Sequence, residues 1–138
     1  MVLVRPSLAA LVLSLSLAAP ALAVDALECT FEMKASNLSW VPEVVAVAPG
    51  ERSGEAVVMD PVINHFLGEP VIAKVDADNS KRSTYRWEVK AKSGTNQYVR
   101  MQYRMTVMKA DLSASISATP QGYADNFQSA GRCKPVKG

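Results

Sequence analysis

One histidine, His65, is all the chain offers of the side chain most used for proton transfer near neutral pH and for metal binding. A single imidazole excludes metal sites built on two or more histidines. A general base also needs a partnered nucleophile and oxyanion donors, and no segment supplies them. Asp60 and Glu69 flank His65 at loop-like spacing, so its plain reading is a turn residue beside Phe66 and Leu67. Phosphate-binding loops, nucleophile elbows and metal-binding cysteine pairs are missing as well. No catalytic residue, metal site or cofactor is assigned, and a non-enzymatic protein is expected.

Charge of one sign is also missing. Fifteen basic against thirteen acidic side chains leave a formal net charge of +2, too small a surplus for a nucleic-acid partner. The apolar run from Leu8 to Ala19 stops at Pro20, short of the roughly 20 residues that span a bilayer. Arg5 before that run, with Ala21 and Ala23 after it, has the order of a secretory signal peptide over residues 1–23. Glu28 before Cys29 is unsuited to bacterial lipidation. Residues 24–138 are therefore expected to be one domain without a membrane span, periplasmic or secreted.

The chain has only two cysteines, near the two ends of that domain. Export places them in an oxidising compartment, where a bridge is expected. Leu27, Cys29, Phe31 and Met33 share one phase of an extended strand, and Tyr123, Phe127 and Cys133 share one parity at the other end. Both cysteines thus point inward, and a Cys29–Cys133 disulfide is predicted. A redox-active role lacks a CxxC pair or a basic helix start.

Tyr85, Trp87, Val89 and Ala91 alternate with Arg86, Glu88, Lys90 and Lys92, which is the pattern of a half-buried strand. After the turn residues Ser93 to Asn96, Val99, Met101, Tyr103, Met105 and Val107 repeat it, and the two runs form a long hairpin. Leu112 to Thr119 gives a third strand. Shorter segments at Leu27–Lys34, Glu43–Ala48, Glu55–Met59, Pro70–Ala77 and Tyr123–Cys133 bring the total to about eight, while Val62–Leu67 reads as a short strand or a helical turn. The fold class is all-β: a small antiparallel up-and-down barrel or a sandwich, the barrel being preferred because bridged terminal strands leave no open edge.

Charge is unevenly distributed along the domain. Residues 24–73 hold two basic and eight acidic groups, whereas 74–109 hold nine basic and three acidic. Either acidic strands lie beside basic ones and cancel the field, or one basic face serves an anionic partner such as an acidic protein or a cell-envelope polymer. Arg86, Lys90, Arg100 and Arg104 are the candidate surface. On the opposite side of the same strands, Trp87, Met101 and Tyr103 either fill the core or line a cavity for a small apolar ligand, as in a calycin-like barrel. Trp40 is either an exposed loop anchor or a lid.

The signal peptide, the run of barrel-like strands and the terminal Gly131-Arg132-Cys133 resemble small exported proteins of Gram-negative bacteria that have no assigned activity. Ser93-Gly94-Thr95-Asn96-Gln97-Tyr98 resembles the Ser-Gly-x-x-Tyr loop of periplasmic inhibitors of c-type lysozyme, also small disulfide-stapled β-barrels, whose loop enters the enzyme cleft. The resemblance implies a candidate inhibitory loop at Ser93, Gly94 and Tyr98. The tyrosine stands one residue later than in that family, and the family's other cysteine-bearing motif is missing. A β-turn alone also accounts for these residues.

Overall fold

Strict alternation over eleven residues commits a chain to one register, because a slip by one would turn every apolar side chain to water. In the computed structural model, which describes residues 26–92 and 94–136, β5 (Arg82–Lys92) and β6 (Tyr98–Met108) pair along their whole length. Trp87, Val89 and Ala91 on β5, and Met101, Tyr103, Met105 and Val107 on β6, are buried. The other strands are β1 (Leu27–Phe31), β2 (Val44–Pro49), β3 (Glu55–Met59), β4 (Val71–Asp78), β7 (Ser113–Pro120) and β8 (Phe127–Pro135). Each pairs antiparallel with its neighbour in sequence, and β1 pairs with β8, so the sheet closes into an eight-stranded barrel and not a sandwich. The predicted signal segment, 1–23, lies outside the described residues.

Closure is made where the two chain ends meet. Cys29 stands directly opposite Cys133, and the two are joined by a disulfide buried in the core. Two residues along, Gly131 faces Phe31. A Cβ on Gly131 would collide with the backbone carbonyl of Thr30, so this pairing requires the smallest residue. Such a bridge is characteristic of an oxidising compartment outside the cytoplasm, and no described helix is long and apolar enough to cross a membrane.

One open reading is settled, and two strand ends depart from the expected pattern. Val62 to Leu67 belongs to a helix, α1 (Pro61–Phe66), and not to a strand. Asp60 Oδ1 accepts the Ile63 N–H at 2.8 Å, Pro61 occupies the first turn where its missing N–H costs nothing, and Gly68 leaves the helix at φ +72°. Tyr123, expected inward with Phe127, is 61% exposed because β8 begins only at Phe127. Likewise β1 ends at Phe31, and Met33 lies exposed before a 3-10 turn at Ala35–Asn37.

The two ends of the barrel are unlike. At the lower end α1 buries Val62 and Ile63, and Phe66 stacks on Trp40 with ring centroids 5.9 Å apart. At the upper end only the short turns after β2, β4 and β6 surround the opening.

Gly131→Ala should lower the free energy of unfolding by about 1–3 kcal/mol, since backbone at the seam must part to admit the methyl; chemical denaturation of both proteins measures this. The disulfide closes a loop of 104 residues, for which loop-closure entropy gives at most about 4–5 kcal/mol. Denatured but unreduced protein should show no reactive thiol, and reduction should lower the unfolding midpoint.

Candidate functional site

Because β5 and β6 pair without a bulge, their outward residues form regular rows. Arg86 stands opposite Arg104 and Lys90 opposite Arg100, with Glu88 facing Gln102 between them. On the other side of β5, Lys74 of β4 stands opposite Arg86. Directly opposed residues have Cβ atoms about 4.5–5.5 Å apart, and like charges in that position are destabilising. All five cations are exposed.

Some of this charge is met locally. Arg86 Nε lies 3.1 Å from Asp76 Oδ2, and Lys90 Nζ sits 4.5 Å from the centroid of the Tyr98 ring. Lys109 pairs with Asp78 at 2.7 Å, and Lys134 with Glu28 at 3.4 Å. Arg100, Arg104 and Lys74 form no ion pair among the described residues. Glu55 of β3 stands opposite Lys74 and Asp76 of β4 engages Arg86, so acids on neighbouring strands meet these two cations but leave Arg100 and Arg104 on β6 without an acidic partner among the described residues. The four residues proposed for the surface are thus brought together on one face.

That face runs into a shallow groove of about 420 Å3 over β6, β7 and β8. Arg104 and Lys34 contribute cations to it, and Thr106, Ser115, Ser117 and Gln128 contribute hydroxyl and amide groups. No sequence pattern signalled Lys34, which precedes the 3-10 turn and reaches the groove only through the β1–β8 pairing. Of the candidate loop, Gly94 and Tyr98 are exposed at the hairpin tip, Tyr98 by 60%, and Asn96 makes the turn at φ +67°. Ser93 lies outside the described residues.

The three interior candidates come together in packed core. Trp87 and Tyr103 stack at 5.5 Å with planes 6° apart, Met101 is fully buried, and Tyr103 donates its hydroxyl to the Trp40 carbonyl at 2.8 Å. Trp40 is therefore a lid over this end and not a free anchor. Burial pushes the Tyr103 hydroxyl up, with the Asp60 carboxylate adding to the effect. Asp60 itself is buried with its pKa pushed up to about 6, burial outweighing the backbone hydrogen bonds from Ile63 and Val62 that lower it. Asp60 Oδ2 and Trp87 Nε1 are buried without a hydrogen-bond partner. His65, read from the sequence as a turn residue, lies instead in the last turn of α1, where it is exposed and packs edge-on to Phe66 at 4.7 Å. Among the described residues no group of three or more histidine, cysteine or acidic side chains is arranged to hold a metal ion.

No family model, curated protein or solved structure matches the chain.

Asp60 supplies a pH dependence whose sign follows from its burial. Its folded pKa lies above the ordinary 3.8, so its contribution to stability is complete below about pH 4 and is lost as pH rises through 6. The loss amounts to roughly 3 kcal/mol at neutral pH. Asp60→Asn keeps a capping oxygen and removes the charge. Denaturation at pH 4 and pH 7 should show wild type losing stability relative to this variant over that interval, and a flat difference would contradict the burial argument.

Proposed function

We propose that the protein is a non-enzymatic binding module of the periplasm or the secreted fraction, and that it docks an anionic partner on the outer face of β5 and β6. One observation carries this reading: Arg86 opposite Arg104 and Lys90 opposite Arg100, with only Glu88 as an acid within the pair. A fold gains nothing from opposed like charges, whereas a cationic row on rigid strands is preorganised for an anion. Packed rings at Trp87 and Tyr103 favour this outer face over the interior behind it. The adjoining hydroxyl-bearing groove favours a cell-envelope polymer carrying both acid and hydroxyl groups over an acidic protein. Tyr98 stands opposite Lys92 at the hairpin tip, which makes the candidate loop continuous with the same surface.

Binding of this kind weakens with salt, since exposed charges are screened beyond about 8 Å at physiological ionic strength. Replacing Arg100 and Arg104 together by Ser should reduce retention on an anionic polysaccharide matrix and shift elution to lower salt. Thermal stability should be unchanged, because exposed arginines without ion pairs add little to folding. Equal elution of wild type and double variant would dispose of the basic face.

A further inference from the structure

Large rings fill the lower half of the barrel, whereas the inward positions of the upper half, Tyr85 apart, carry short side chains. Val47, Ala56, Val75, Ala77 and Val107 surround a cavity of about 840 Å3 that opens between the turns after β2, β4 and β6. That volume falls within the roughly 300–1,000 Å3 range of small-molecule sites. Its inner wall is apolar, and charged side chains gather at its rim. Ser83 and Tyr85 share the inward parity of Trp87 on β5, and both line the cavity. Burial raises the Tyr85 pKa, with the Ser83 side-chain hydrogen bond opposing the shift, so the two hydroxyl groups lie together on one wall.

The charges of the rim are largely spoken for. Asp78 Oδ1 receives Lys109 Nζ at 2.7 Å and the Ser83 hydroxyl at 3.1 Å, and these hydrogen bonds hold its carboxyl below the usual range. Asp76 is engaged by Arg86. Glu51 has Arg52 beside it, and Glu55 stands opposite Lys74 of β4. No unopposed cation among the described residues therefore faces the cavity, and a carboxylate or phosphate entering it would find no net positive charge to hold it.

We propose that this mouth is a binding site for a small neutral amphiphile, its alkyl or ring body against Val47, Ala56, Val75 and Val107 and its uncharged hydrogen-bonding head at Ser83 and Tyr85. The site is independent of the basic face. It lies inside the barrel, at the end away from Trp40, and its ligand carries no charge for salt to screen.

The uncharged fluorophore N-phenyl-1-naphthylamine is the probe, titrated into the folded, disulfide-bonded protein. Saturable one-to-one enhancement is expected, with displacement by 1-decanol at least tenfold more effective than by decanoate and with little dependence on salt. Ala77→Phe, which fills the mouth, should weaken probe binding at least tenfold. Leu38→Ser, in the separate apolar cleft by Trp40 and Phe66 at the lower end, should leave it unchanged. Amide chemical shifts of wild type give a second measurement should Ala77→Phe fail to fold: decanol should perturb Val47, Ala56, Val75 and Val107. No enhancement up to the solubility limit of the probe overturns the proposal. So does decanoate competing as well as decanol, loss of binding on Leu38→Ser alone, or shifts confined to the surroundings of Trp40 and Phe66.

Discussion

The pairing of β1 with β8 is the contact from which the rest of the structure follows. It joins strands from opposite ends of the domain, so its loop-closure entropy is the largest of any strand pair in the barrel. The Cys29–Cys133 bridge removes that cost from the folded state's disadvantage, and Gly131 lets the two backbones approach where a side chain would hold them apart. Once the seam is shut, no strand presents an unpaired edge. Every inward side chain then faces another inward side chain, which turns eight modest apolar stripes into one core.

Closure also decides where the charges go. Sequence order becomes angular order around the cylinder, so acids and cations meet where β3, β4 and β5 adjoin, at Glu55 opposite Lys74 and at Asp76 with Arg86, while Arg100 and Arg104 of β6 form no ion pair among the described residues. The outer rows on β5 and β6 and the stacked Trp87 and Tyr103 are two sides of one backbone. Dense packing beneath fixes the spacing of the cations above, since a filled core resists deformation.

Alternation made the β5–β6 hairpin, the inward phase of both cysteines and the shared face of Arg86, Lys90, Arg100 and Arg104 legible in the sequence. These features depend only on residues close together in the chain, apart from the pairing of the two ends, which redox chemistry supplied. Six residues are too few for helical periodicity to declare itself, so α1 was ambiguous, although Asp60-Pro61 and Gly68 are start and stop signals that capping chemistry can read. The lid role of Trp40 depends on Phe66 and Tyr103, which lie far from it in sequence, and no local pattern announces it. Lys34 joins Arg104 for the same kind of reason. Ser93-Gly94-Thr95-Asn96 was readable as a turn but not as more than one, because an exposed tip is compatible with many partners.

The upper mouth shows most clearly what a single strand cannot reveal. Ala56, Ala77 and Ser83 are each ordinary inward residues, and any one of them opposite a Trp or Met would sit in a filled layer. They lie on β3, β4 and β5, consecutive strands, so their shortness coincides on one arc of the wall and at one end of it. Whether a barrel is solid or hollow depends on the sum of volumes in a layer, and no residue type carries that sum by itself. Here Trp87 and Tyr103 fill the lower layers with Trp40 and α1 closing them off, while Tyr85 is the one ring on the wall of the open end. The Cys29–Cys133 bridge stands at the middle of the β1–β8 pairing, between Leu27 at the mouth and Phe31 toward the packed end, so one covalent link ties both layers to the same seam.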